Sequence, residues 1–211
     1  MKKVEKGIQR VSLRYLKVKI SSTVFRLMNQ KAPWWNKHAV NFAKIIIGEN
    51  DSILEFGSGR STIWLAERCK KLTSIEHNKN WYEKVRAKIE RKGLDKKVNL
   101  KHLALISTIN EADQPYLNPD EIINEAGYDI IIIDGKCRSK TTLMGLEFLK
   151  RNGILIIDDV HRYLPSDLRF GVNNCFLDLE DDWKIVWGLI KEWREIRTTD
   201  GIHETAFFFK S

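Results

Sequence analysis

The 211-residue chain is poor in the residues that build staples, rigid linkers and membrane spans. Its cysteines, Cys69, Cys137 and Cys175, are odd in number and show no CxxC spacing. That leaves no basis for a disulfide framework or a thiolate zinc centre, and a reducing cytoplasm is the expected compartment. Only four prolines are present, and no low-complexity stretch is long enough to separate domains. A chain of this length with 43% hydrophobic residues can bury one sizeable core. No apolar run approaches the roughly 18 residues that a spanning helix needs, and no secretory leader is expected. Runs such as Ile130–Ile133 have the length of buried strands.

Net charge is also missing, except at one end. The formal net charge is +8, and residues 1–31 account for it with nine Lys or Arg against a single acid, Glu5. The remainder is electrically balanced and gives nucleic-acid binding no support. The expected organisation is therefore a basic amphipathic arm, residues 1–31, followed by one domain, residues 32–211. In the arm, Val4, Ile8, Val11, Tyr15 and Val18 recur at helical spacing among Lys and Arg. Such a helix packs on its own domain, or meets a membrane surface or an anionic partner.

Beyond the arm, "APWWNKHAVNFAKIIIG" reads as a helix opened near Pro33. Elements then alternate. Strands are expected at Ser52–Phe56, Leu72–Glu76, Val98–His102, Asp129–Asp134 and Ile154–Asp158. Helices are expected at Thr62–Arg68, Trp81–Lys92, Pro119–Ala126 and Thr141–Leu149. The near-continuous apolar runs "DIIIID" and "GILIID" imply strands covered on both faces, as in a parallel sheet. "WKIVWGLI" and "TAFFFKS" offer two final strands around Asp200–Gly201. The pattern is an α/β, doubly wound, mostly parallel sheet with helices on both faces.

In such a sheet ligands bind beyond the carboxyl ends of the strands. The first strand ends in Glu55-Phe-Gly57-Ser58-Gly59-Arg-Ser61-Thr62. Two glycines let the backbone turn and lie against a ligand, and the following helix presents unpaired N–H groups. Glu76 ends the next strand about twenty residues on, where a carboxylate can accept both hydroxyls of a ribose. Together these predict a nucleoside ligand. A nicotinamide fingerprint would place a small residue at position 62, where threonine stands.

Glu55 completes an ExGxG pattern. With "LEFGSGRSTIWLA" and "SIEHNKNWYEKV", the segment resembles the class I S-adenosylmethionine-dependent methyltransferases, in particular a bacterial FGSGxST group. The resemblance spans roughly residues 33–211 and implies a seven-stranded Rossmann-like fold. It also implies that Gly57 and Gly59 lie against the methionine part of the cofactor, that Glu55 helps hold its amino group, and that Glu76 binds the ribose. His77 and Trp81 would flank the adenine, while Ser58, Ser61 and Thr62 complete the loop. A further adenine contact would come from the segment His102–Ala104.

Methyl transfer to a hydroxyl requires alignment and a proton acceptor. Asp134 ends the fourth strand, and Asp158 and Asp159 end the fifth. The trio is similar to the metal site of catechol-type O-methyltransferases, which implies Mg²⁺ or another divalent cation at Asp134, Asp158 and Asp159. Three carboxylates repel one another without a cation, so a metal or a basic neighbour is expected, the latter from Lys136, Arg138 or Arg162. Asp134, Asp158 and His161 are the candidate catalytic residues. The expectation is a cytoplasmic methyltransferase acting at oxygen on a small-molecule or glycan-like acceptor. A nicotinamide-dependent oxidoreductase and a non-catalytic nucleoside-binding protein are the alternatives.

Overall fold

The computed structural model describes residues 13–110, 113–119, 127–166 and 181–211. Two helices lead, α1 (Leu13–Met28) and α2 (Lys37–Ile46). The alternating body follows: β1 (Ser52–Phe56), α3 (Arg60–Ala66), β2 (Lys71–Glu76), α4 (Lys79–Arg91), β3 (Val98–His102), β4 (Tyr128–Ile133), α5 (Arg138–Phe148) and β5 (Leu149–Asp158). Helix α6 (Asp181–Ile190) and the pair β6 (Arg194–Thr199) and β7 (Glu204–Phe209) complete the chain. The strands form one seven-stranded sheet in the order β3-β2-β1-β4-β5-β7-β6. Strands β1 to β5 are parallel, and β7 runs antiparallel to both β5 and β6. The order reverses between β1 and β4, so their carboxyl ends bound the crevice where such sheets bind ligands.

Side-chain alternation explains why the central strands are apolar throughout. Ile130 and Ile132 face one core with Ile53, Leu65, Val85 and Phe207, beneath α2, α3 and α4. Ile131 and Ile133 face the other with Phe56, Leu155, Val186 and Phe208. Each of these isoleucines therefore has a buried destination, as a sheet covered on both sides demands. Helix α2 starts at Asn36 rather than Pro33. The Asn36 side chain caps it by accepting from the Ala39 N–H, and its amide donates to the Thr198 carbonyl and the Thr205 hydroxyl. That ties α2 to β6 and β7.

Two expectations need correction. "WKIVWGLI" is helical, within α6, because Trp183, Val186 and Ile190 share one buried side at three- and four-residue spacing. The missing strand is β6, "REIRTT", whose outer position at the sheet edge lets it remain polar. The helix expected at Pro119–Ala126 falls outside the described residues from position 120 onward. So do Val4, Ile8 and Val11 of the arm, while α1 covers its second half. Among the described residues no helix is long and apolar enough to cross a membrane.

Helix α1 is fastened by its inner side. Ser22 donates to Asp200 at 2.6 Å, and Phe25 packs on the α2 side of the core.

Ile131 tests the two-faced sheet. It is fully buried between β4's neighbours and α5, so Ile131→Ala should cost about 2–5 kcal/mol, read as a lowered denaturant midpoint at unchanged slope.

Candidate functional site

The glycine turn after β1 is shaped by contact with the turn after β4. Gly57 has φ +95, a left-handed conformation that favours glycine, and a Cβ there would come within 2.6 Å of the Gly135 backbone. Gly135 is equally constrained, because its own Cβ would collide with the Tyr116 hydroxyl. The two turns thus meet backbone to backbone. Gly59 differs: its φ of −178 is ordinary, and among the described residues a Cβ would meet nothing nearer than 3.9 Å. The chain itself imposes no glycine at 59; the open crevice on that side is what a methyl group would enter.

That crevice has a volume of about 880 Å³ and is lined by Gly57, Ser58, Gly59, Ser61, Glu76, His77, Trp81 and Asp134, among others. Most of the predicted cofactor residues therefore come together. Glu76 is the anchor. Its two carboxylate oxygens accept from the Ser58 N–H at 3.0 Å and the Asn78 N–H at 2.7 Å. A carboxylate has about four acceptor positions, so one on each oxygen remains for a vicinal diol. Buried to 3% exposure and fixed by two backbone donors, this carboxylate is held in one orientation at the crevice wall.

Two predicted cofactor residues stand elsewhere. Glu55 is fully buried and does not line the crevice. It accepts from Ser61 at 2.5 Å, and from Thr62 and Ser74 at 2.6 Å each. Burial raises its pKa, and those three hydroxyls pull it back down. Glu55 thereby braces the loop from below. Thr62 is also fully buried; its hydroxyl accepts from the Gly59 N–H at 2.8 Å while donating to Glu55. The departure at position 62 is thus accounted for: threonine holds the glycine turn onto its helix.

Trp81 lines the crevice with its indole N–H donating to the Ser58 carbonyl at 2.6 Å. His77 stands beside it, with Nδ1 at 3.0 Å from Glu76 Oε1 but without hydrogen-bond alignment. The segment His102–Ala104 does not line the crevice; His102 instead bonds the His77 carbonyl at 3.2 Å.

At the ends of β4 and β5, Arg138 supplies the positive charge expected beside the aspartates. Its guanidinium donates to the Asp158 carbonyl, to the Gly135 carbonyl at 3.1 Å, and to Asp134 Oδ1 at 3.0 Å. One side chain thereby binds the ends of β4 and β5 together. Asp134 lines the crevice; burial and the neighbouring Asp158 charge raise its pKa well above the ordinary carboxylate range, against the pull of Arg138. Asp158 is pushed up to about 6 by burial and by Asp159.

The acidic trio does not form a metal site. Asp158 accepts from Thr205 at 2.7 Å, Asp159 pairs with Arg162 at 3.7 Å, and Asp134 is held by Arg138. Among the described residues no group of three His, Cys, Asp or Glu side chains is placed to hold a metal ion. The residues do not fit a divalent cation, because the guanidinium supplies the compensating charge. Asp158 and His161 also do not line the crevice; His161 is buried, and burial depresses its pKa. In their place stand Arg162, Tyr163 and Trp183. Trp183 belongs to the misread helix, which is why it was missed. Trp34 and Arg60 at the opposite rim, 5.3 Å apart as a cation–π pair, had no motif to announce them.

A doubly wound, mostly parallel sheet whose switch-point crevice is lined by a glycine turn and a buried carboxylate has the architecture of a nucleotide-binding α/β fold. Residues 54–160 match the model of the methyltransferase domain family, and the chain belongs to that family. It is a class I S-adenosylmethionine-dependent methyltransferase. No curated protein matches it. Among solved structures it resembles a Bacillus cereus O-methyltransferase in complex with S-adenosylhomocysteine (16% identity, TM-score 0.61, 97% of this chain and 94% of that one). A Staphylococcus aureus protein assigned as a caffeoyl-CoA O-methyltransferase is similar at 20% identity and TM-score 0.63, over 94% and 99% of the two chains. A Streptomyces achromogenes O-methyltransferase involved in tomaymycin synthesis, in complex with S-adenosylmethionine, matches at 15% identity and TM-score 0.55, over 81% and 77%. At these identities the likeness establishes the fold.

The two glycines should separate under substitution. Gly59→Ala is expected to weaken S-adenosylhomocysteine binding at least about tenfold with little change in thermal midpoint, whereas Gly57→Ala should destabilise the protein itself by about 1–3 kcal/mol. Calorimetric titration and thermal unfolding of both variants check this; equal behaviour of the two would refute the cradle.

Proposed function

We propose that this methyltransferase acts at an oxygen of a small-molecule or glycan-like acceptor, with Asp134 as general base. The observation that carries the reading is Asp134 itself: a crevice-lining carboxylate with a raised pKa, oriented through Oδ1 by Arg138. The bound cofactor supplies a methyl group already activated on a sulfonium. Gly57 and Gly59 would lie along its methionine part, Glu76 would accept both ribose hydroxyls, and His77 would stand beside the base. Ser58 and Ser61 complete the cradle wall. Trp81 holds the loop from one side, and Glu55 and Thr62 hold it from beneath.

For the acceptor, the chain has to supply position and a proton sink. Oδ1 of Asp134 is engaged by Arg138, which would leave Oδ2 to take the hydroxyl proton as the methyl carbon exchanges its bond to sulfur for one to the acceptor oxygen, with S-adenosylhomocysteine as the leaving group. A raised pKa makes this carboxylate a stronger base than an ordinary aspartate. Asp158 acts at one remove, through its charge on Asp134 and its hydrogen bond from Thr205. Tyr163 stacks on Trp183 with centroids 5.1 Å apart, giving the acceptor an aromatic wall. Lys136 and Arg162 line the same end and suit a negatively charged substituent. The reading includes a cytoplasmic location and a division into an arm, residues 1–31, that takes no part in catalysis and a catalytic domain, residues 32–211.

The pH profile tests Asp134. Turnover requires the ionised carboxylate, so kcat should rise with pH through an apparent pKa well above 3.8. Asp134→Asn should lower kcat about 10²–10⁴-fold and remove that acidic limb, with S-adenosylhomocysteine affinity retained. Asp158→Asn should leave turnover largely intact and move the limb to lower pH, because a neighbouring negative charge is gone. An unchanged limb in Asp134→Asn would transfer the role of base to another group.

A further inference from the structure

Helix α1 carries an apolar stripe turned away from its own domain. Leu16, Ile20, Val24 and Leu27 recur at three- and four-residue spacing and so share one side of the helix. All four are exposed, from 46% at Val24 to 63% at Leu27, and Met28 next to the stripe's end reaches 79%. The opposite side is the one that packs, through Phe25 and Ser22. Single exposed apolar residues are ordinary, but an ordered row on a helix anchored by its other side is an interaction surface.

The surroundings of the stripe are basic. Helix α1 contains no acidic residue, and the first 31 residues carry nine Lys or Arg against Glu5. Directly after α1 the chain borders a groove of about 260 Å³ whose lining includes Lys31, Arg60, Ile63, Lys88 and Arg91. A fifth cation there, Lys92, is engaged by Glu67, and among the described residues no carboxylate lines the groove.

We propose that α1 docks the protein on an anionic membrane surface, its apolar stripe lying among the lipid acyl chains while the adjoining groove receives an anionic lipid headgroup. The combination of one aliphatic side and dense positive charge is what an in-plane interfacial helix requires. Charge also decides against a second copy of the chain, since pairing through this face would bring two strongly basic segments together. A nucleic acid would satisfy the cations yet leave the aliphatic row in water. Arg60 lines both the groove and the cofactor crevice, so docking brings the mouth of the site close to the bilayer plane.

Flotation of the full chain with vesicles tests the assignment. Binding is expected to phosphatidylcholine vesicles containing about one-third phosphatidylglycerol, not to phosphatidylcholine alone, and should weaken as salt is raised. The double variant Ile20→Glu/Leu27→Glu should lose binding by about tenfold or more while keeping its thermal midpoint and S-adenosylhomocysteine affinity. Lys88→Glu/Arg91→Glu should lose it with the stripe intact. Absence of flotation with the anionic vesicles, or undiminished binding by the stripe variant, overturns the proposal. So does a wild-type dimer in sedimentation that the stripe variant splits while neither floats, which would give the stripe to a second copy.

Discussion

The site depends on one carboxylate held by two backbone amides. Glu76 accepts from the N–H groups of Ser58 and Asn78, one on the turn after β1 and one at the cap of α4. A side chain so fixed needs little reordering to meet a diol, and it also joins two strand ends across the crevice. The bracing continues outward. Trp81 holds the Ser58 carbonyl, Ser58 bonds Ser74, and Ser74 donates to the buried Glu55. Glu55 in turn secures Ser61 and Thr62 at the start of α3. A buried acid surrounded by three hydroxyls is stable only as a complete network, which explains why this stretch is so rich in serine and threonine.

On the other side of the crevice the same logic is applied with a guanidinium. Two raised carboxylates, Asp134 and Asp158, stand near the ends of adjacent strands, and Arg138 spans the gap through three backbone carbonyls and one carboxylate oxygen. The arginine occupies the electrostatic role of a metal while leaving a carboxylate oxygen available. It also lies over the Tyr163 ring at 5.5 Å, which couples the position of Asp134 to the stacked rings of Tyr163 and Trp183.

Much of this was legible in the chain. Apolar runs at Ile130–Ile133 and Ile154–Ile157 point to doubly covered strands, and Gly57 and Glu76, each just beyond or at a strand's end, do line one crevice. What the sequence left open follows from contacts between distant segments. Whether Glu55 faces a ligand or the loop depends on Ser74, nineteen positions away. Whether the three aspartates converge depends on Thr205 and Arg138, which draw two of them into other bonds. Gly135 gave no signal beyond an "IDGK" turn, because its constraint is the Tyr116 hydroxyl and the backbone of Gly57. Helix α6 was misread because a short apolar run fits either period, and the edge strand β6 because solvent lets it be polar.

The most direct test of the account is a calorimetric titration of S-adenosylhomocysteine into the wild type and Glu76→Ala, with NAD as the competing ligand. The account predicts S-adenosylhomocysteine binding by the wild type, no comparable heat from NAD, and a loss of at least about a hundredfold in affinity on Glu76→Ala without unfolding. Equal affinity in the two proteins would contradict it.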